Sequence, residues 1–371
     1  MSKKYIVVNE HEYNLGAICP PNEFGGNLVK LKNEFVFAKY SLEVQQQRLL
    51  FNAMSYFDIN PFLKDEVVQE TLRIDGSPKW DFNKVTQTLT DEYYSDVEKR
   101  SIVLSIREIL RSTGSRNYKA LDKAVDTLQS LTMIVDEMTP TRVRVKKTIS
   151  PIEGAAKISS TQILITFTKE FMPYLLAVTG YQSIDLDLIS GFLHKHSSRY
   201  YHWSLYALGL KAEESVVKFD ISIDSIRERL GIGAKEHQRN FFNRVVKVAV
   251  DEVNGKTPLY IHIDKVIKKD NKGRSLRGNP VSKLTFKVYR DKVAALNAIK
   301  DIIATIESRY NMAKVDFECD GLGSESDILK IKKELDEATD ELRLIESLNN
   351  HIQNEPTKAD IIDFSDEPFL F

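Results

Sequence analysis

The residues best suited to chemistry lie between positions 235 and 254, and the chemistry they suit is base recognition. Arginine, glutamine and asparagine are the side chains that hydrogen-bond to guanine and adenine edges in the major groove. The polar set in this segment is His237, Gln238, Arg239, Asn243, Arg244 and Lys247. Apolar residues recur between them at helical spacing, namely Phe241, Phe242, Val245, Val248, Ala249 and Val253. The spacing predicts an amphipathic helix with its apolar side inward and its polar side toward DNA, although an ordinary solvated helix has the same pattern.

A basic loop follows this helix and suits contact with phosphates. Residues 259–267 and 283–289 alternate apolar and polar side chains, which is typical of strands. Between them lies the stretch KKDNKGRSLRG, whose cations are Lys268, Lys269, Lys272, Arg274 and Arg277. We expect a hairpin whose tip neutralises the DNA backbone, with a solvated hairpin tip as the alternative.

The elements that must position these residues have the order of a winged helix-turn-helix. A helix is predicted over residues 199–210, a strand over 216–221 and a second helix over 222–232. The polar helix and the basic hairpin come next. This order places the third helix in a major groove and the hairpin along the phosphates.

A looser version of the same order precedes it. A helix is expected after Ser41 as N-cap, then a strand at 101–106, a short helix ended by Gly114 and a helix over 115–131 with Tyr118 inside. Strands are predicted at 132–138, 142–149 and 161–168, and a loop containing Gly154 could form a wing. From this element order we infer a structural duplication.

The upstream copy also has basic residues that could contact DNA. Arg116, Asn117, Lys119 and Lys123 lie on its second long helix, and the alternation RVRVKK puts Arg142, Arg144 and Lys146 on one face of a strand. The alternative interpretation of this stripe is an edge strand protected by charge.

The charged residues are unevenly distributed along the chain. Residues 199–290 have 19 Lys and Arg against 10 Asp and Glu, whereas residues 316–371 have 5 against 16, so the net charge of −1 hides a basic middle and an acidic end. The two cysteines, Cys19 and Cys319, suggest neither a disulfide framework nor a zinc site. We predict no cofactor, no metal, no membrane segment and no secretory signal, which favours a cytoplasmic bacterial protein.

Two further motifs suggest other activities. His194 and His196 directly precede Tyr200 and Tyr201, which could indicate a metal-dependent DNA-nicking tyrosine. However, a continuous segment does not converge its side chains on one ion. At the other end, the peptide IIDFSDEPFLF resembles the acidic tails by which bacterial single-strand binding proteins recruit replication enzymes. Its candidate partner-binding residues are Asp366, Pro368, Phe369 and Phe371.

Longer stretches resemble one family. VVKFDISIDSIRERLGI, FFNRVVKVAVDEVNGKTPLYIHIDKVIKK and KLTFKV are similar to the replication initiators of iteron-containing theta plasmids and some phages, and DEVNGKTPL is the most specific match. YSLEVQQQRLLFNAM resembles the opening helix of the family's first unit. The sequence departs from the family at Phe242 and Asn243, where relatives often have more basic residues, and at Ser204, where they often have arginine.

The resemblance implies a non-enzymatic, sequence-specific binder of double-stranded DNA. Such a protein would act at directly repeated origin sites, repress its own promoter as a dimer, and contact a host helicase or other replisome proteins. Gln238, Arg239, Asn243 and Arg244 would read bases. A winged-helix repressor of a palindromic operator is the alternative.

Together these patterns predict an α+β fold of two tandem winged-helix domains with a C-terminal helical extension. The predicted divisions are an N-terminal arm (1–27), a first winged-helix domain for dimerisation and auxiliary DNA contact (28–180), a second winged-helix domain as main DNA reader (181–292), a helical extension (293–350) and an acidic tail (351–371).

Overall fold

A computed structural model describes most of the chain. The described residues are 5–8, 11–14, 28–57, 86–112, 118–138, 144–176, 181–233, 236, 240–268, 281–320 and 324–354. Among them, none of the helices has the length and apolar character needed to cross a membrane.

The first half of the chain builds one mixed unit of helices and short sheets. Its strands are β1 (Tyr5–Val8), β2 (His11–Asn14), β3 (Leu28–Lys32), β4 (Ser101–Ser105), β5 (Met133–Met138), β6 (Arg144–Ile149), β7 (Ile152–Lys157), β8 (Gln162–Phe167) and β9 (Tyr181–Asp185). Its helices are α1 (Asn33–Phe37), α2 (Val44–Met54), α3 (Ile106–Ser112), α4 (Tyr118–Leu128), α5 (Met172–Leu176) and α6 (Leu186–Gly191). Short turns of other helix types lie at Leu89–Tyr93, Glu98–Arg100 and Lys169–Phe171.

The second half repeats the arrangement. It consists of α7 (Ser197–Leu210), β10 (Val216–Ser222), α8 (Ile223–Arg229), a π-helical turn (Phe242–Lys247) that continues into α9 (Val248–Lys256), β11 (Tyr260–Ile267) and β12 (Val281–Tyr289). Its antiparallel sheet has the order β10-β12-β11, and the first half contains a sheet of the equivalent order, β4-β8-β7. Helix, strand, two helices and two strands therefore occur twice, which confirms two tandem winged helices.

The structure corrects three details of the first copy. Gly154 lies within β7, paired with Thr166 of β8, and is not in a wing loop. The β5–β6 hairpin lies between β4 and β7 in the chain and forms a separate two-stranded sheet, so the stripe at Arg144 is not on a wing. Tyr118, expected inside, is 53% exposed because it begins α4 ahead of the turns that pack.

Local signals explain where several helices begin and end. Helix α2 begins one turn after Ser41, because Glu43 is its N-cap and the Glu43 amide donates to the Gln46 side chain at 2.8 Å, so the expected cap at Ser41 is wrong. The Ser222 hydroxyl accepts from the Ser225 amide at 3.1 Å and starts α8. Just after α8, Gly231 adopts φ 65°, where a side chain would also meet Ser41 at 3.2 Å.

The two units share one buried core. The Trp203 indole donates to the Val36 carbonyl at 3.1 Å, and the Arg199 guanidinium donates to the Ala38 carbonyl at 2.5 Å. The same guanidinium lies 4.0 Å from the ring centre of Tyr40. Because α1 and the residues after it are bonded to α7 in this way, the two winged helices are held in one fixed relation. The predicted domain boundary after residue 180 would assign β3 and its sheet partner β9 to different domains, and it stays a prediction.

The helical extension is a hairpin that covers the second sheet. It comprises α10 (Lys292–Asp320) and α11 (Glu325–Asn354), joined antiparallel, as the ion pair between Arg309 and Glu334 indicates. A small core beneath it contains Tyr260, Tyr289, Ala295, Ile299 and Ile345. The sheet is thus apolar on the side that faces α7 and α9, and half-covered by the hairpin on the other.

One ion-pair cluster fixes the hairpin to the sheet. The Glu341 carboxylate of α11 is 2.5 Å from Nδ1 of His262 and accepts from the Tyr260 hydroxyl at 3.0 Å. Asp264 contacts Nε2 of His262 at 2.9 Å and pairs with Lys287 at 2.7 Å. The hydrogen bond from Glu341 raises the pKa of His262, against the opposing effect of burial.

Candidate nucleic-acid interface

The polar helix of the second unit has one buried and one exposed side, as its sequence predicts. Phe241, Val245, Ala249 and Val253 are buried against the core. Asn243, Arg244 and Lys247 are exposed on the opposite side. Arginine and asparagine there have the donors and acceptors that match guanine and adenine edges. The described part of this helix therefore presents a contiguous polar surface of the kind that enters a major groove.

One apolar residue reaches that surface as well. In an α-helix Val248 would lie about 60° around the axis from the buried Val245 but only about 40° from the exposed Arg244. A π-helical turn, Phe242–Lys247, ends directly before it. Val248 is 47% exposed, on the side of Arg244. The expectation that it packs inward is wrong.

A partly buried carboxylate holds the helix on the rest of the unit. Glu252 accepts hydrogen bonds from the amides of Leu193 and His194 at 2.7 and 2.9 Å, from the Ser197 hydroxyl at 2.6 Å and from Lys256 at 2.7 Å. Burial acts to raise the pKa of Glu252, but these bonds together lower it below its ordinary value. Glu252 thus joins the helix that bears the exposed row to the chain at the start of α7.

The neighbouring hairpin brings a second group of cations. Lys268 is exposed at the end of β11, whereas Lys269, Lys272, Arg274 and Arg277 lie outside the described residues. Lys265, which the sequence reasoning missed, places its ammonium 3.6 Å from the ring centre of Phe242 and so joins the strand to the polar helix. The sequence contains one indication of this role. Lys265 shares a strand face with Ile261 and Ile263, so the apolar alternation ends at a lysine.

The exposed row also contains a carboxylate. The Lys247 ammonium lies 2.6 Å from the Asp251 carboxylate, one turn along the helix. Both side chains are more than half exposed, so the pair is screened by solvent. Asp251 lowers the positive charge available to phosphates at this point.

The basic residues of the first unit are exposed but partly paired. Lys119 and Lys123 are exposed on α4. Arg144 lies 3.3 Å from Asp136, and Lys146 lies 3.2 Å from Glu228 of the second unit. Nearly the whole of β6 is exposed on both faces, so the stripe belongs to a solvent-facing hairpin.

Several candidate residues fall outside the described part of the chain. They are His237, Gln238 and Arg239 at the start of the polar helix, Arg116, Asn117 and Arg142 in the first unit, and Asp366, Pro368, Phe369 and Phe371 in the tail. Their roles remain predictions.

The described residues do not form a site for the alternative nicking chemistry. Tyr200 and Tyr201 are both buried in α7, and burial raises the pKa of both hydroxyls, that of Tyr201 to about 12. A buried, protonated phenol is not available to attack a phosphodiester. Within the described residues, no group of three or more His, Cys, Asp or Glu side chains is arranged to hold a metal ion.

Fold and exposed side chains define a class, the tandem winged-helix proteins with a polar third helix and an adjacent basic hairpin. Sequence comparison makes this more specific. Residues 28–204 match the family described as initiator replication protein, WH1, and residues 222–288 match initiator Rep protein, WH2. These two matches cover more than half of the chain, which therefore belongs to the initiator Rep protein family.

A relative supports the same assignment. A replication initiation protein of Escherichia coli is 27% identical to this chain over 138 residues. The aligned region is 37% of this chain and spans 40% of that protein.

Proposed function

We propose that this protein initiates replication by binding double-stranded DNA at directly repeated origin sites. The second winged helix is the main reader, with its polar helix in a major groove and the basic hairpin along the phosphates. The observation that carries the proposal is the exposed row Asn243, Arg244 and Lys247 on a helix whose other side is buried. Family membership supports the initiation step.

The first unit contributes auxiliary contacts in this proposal. Its shared core with the second unit supports simultaneous engagement of both modules on one duplex, because the Trp203 and Arg199 bonds hold them together. Several copies on adjacent repeats would bend the DNA and help to open a nearby A·T-rich segment. The first unit would also provide the dimer contact through which the protein represses its own promoter.

Footprinting tests the arrangement of sites. The full-length protein is incubated with DNA that flanks its own gene, and the protected segments are mapped. Directly repeated protected sites about one or more helical turns apart are the expected result. Inverted half-sites alone would instead support a repressor, and no protection in dilute buffer would contradict both.

A single substitution tests the polar helix. Arg244→Ala should weaken binding to the protected site by about 1–3 kcal/mol and relax preference at one base pair. Arg343→Ala, an exposed arginine of α11, is the matched control and should bind as the parent does. Equal losses for Arg244→Ala on specific and random DNA would show that this residue contacts only phosphate.

A further inference from the structure

An exposed valine stands among the polar residues of the candidate reading surface. Val248 is 47% exposed. Three of its neighbours on the helix surface are charged, namely Arg244, Lys247 and Asp251. Single exposed valines are common on proteins. This one differs by its place, because it directly follows the π-helical turn Phe242–Lys247 and adjoins the exposed polar row.

The turn adds a structural reason to expect a role. π-Helical turns are rare, and they occur frequently at functional sites. Here the turn Phe242–Lys247 ends directly before Val248, which is exposed one helical turn from Arg244. Valine is also stiff about χ1, so its two methyl groups are held in a defined place.

The chemistry of the major groove supplies a matching partner. Thymine is the base that presents a methyl group there, and small apolar side chains recognise it by contact. Arg244, one turn away, is exposed and has the donors to bind an adjacent guanine. A valine beside an arginine on the same helix face can therefore distinguish thymine from cytosine next to that guanine.

We infer that Val248 is a specificity-determining residue that packs against the C5 methyl group of a thymine in the recognised site. This inference rests on the proposed function, because it requires the helix to enter the major groove. It assigns to Val248 the recognition of an apolar group beside the base that Arg244 contacts.

The test removes the methyl group from either partner. Full-length protein is first used to select duplexes from a random-sequence pool, and each thymine of the selected site is then replaced singly by deoxyuridine. For the parent protein we expect about fourfold weaker binding at one thymine, the change that corresponds to one buried methyl group. Val248→Ala should bind the thymine and uracil duplexes equally at that position.

A matched control separates this effect from general loss of apolar surface. Val293→Ala removes the same atoms from a valine that is 53% exposed on α10, and it should keep the parent's fourfold preference. Urea unfolding checks that both variants fold as stably as the parent, which their exposure predicts.

The outcomes distinguish the two proposals. If no sequence is enriched from the pool, both sequence-specific binding and the role of Val248 are overturned. If a site is enriched but no single uracil weakens binding, or the uracil effect persists in Val248→Ala, only the role of Val248 is overturned.

Discussion

Replacement of Glu252 by glutamine should both destabilise the protein and lower its affinity for DNA. The carboxylate accepts from the Leu193 and His194 amides, Ser197 and Lys256. Glutamine offers one acceptor oxygen, so its amide N–H would oppose at least one of these donors. A lost hydrogen bond to a charged group costs about 1.5–3 kcal/mol, and a buried unpaired donor costs about 1–3 kcal/mol. We therefore expect the free energy of unfolding to fall by about 2–4 kcal/mol.

Urea unfolding and DNA titration, each over a pH series, measure the two effects. Because the folded-state pKa of Glu252 lies below its ordinary value of 4.5, its stabilisation is present above that pH and is lost as the pH falls through the folded-state pKa. Glu252→Gln should lack this part of the acid dependence. Glu346→Gln, an exposed glutamate of α11, is the control. A change below about 0.5 kcal/mol in Glu252→Gln, the range of ordinary surface substitutions, would refute the reasoning.

Three other predictions concern charge, acidity and the tail. Asp251→Asn should strengthen binding to specific and random DNA alike, because Lys247 is then free to contact a phosphate. The slope of log affinity against log salt concentration should steepen by up to about one unit. Unchanged affinity at low salt would contradict this. Burial, and then the charge of Arg199, lowers the pKa of His202 to about 3, so folding loses stability as the pH falls from 6.5 toward 3. His202→Phe should lose less stability than the parent in urea unfolding between pH 7 and pH 5, and equal losses would rule out His202 as the source. Deletion of residues 366–371 should leave DNA affinity unchanged but impair plasmid maintenance, and normal maintenance would discard a docking role for the tail.

The order of the helices and strands, and the polar side of the third helix of the second unit, could be predicted well from the sequence. The spacing of apolar residues predicted α7, β10, α8, β11 and β12. Each spacing is a property of the few residues that form the element, so the sequence shows it directly. The predicted C-terminal helical extension is likewise present, as α10 and α11.

The errors came where distant parts of the chain decide the outcome. Gly154 looked like a loop residue, yet β8 provides a strand partner for it. The stripe at Arg144 and Lys146 looked like free charge, yet Asp136 and Glu228 lie within pairing distance. The pair between Lys146 and Glu228 spans 82 positions, so no local pattern predicts it.

What the sequence by itself determined is the alternation of apolar and polar residues, and with it two winged helices and an exposed polar helix. Only the tertiary structure decided the anchoring of the third helix by Glu252 and the covering of the second sheet by α10 and α11. The physical reason is range. Backbone periodicity acts over one or two turns, whereas a hydrogen-bonded, partly buried carboxylate and a covered sheet face are fixed by contacts that form only when the whole chain packs.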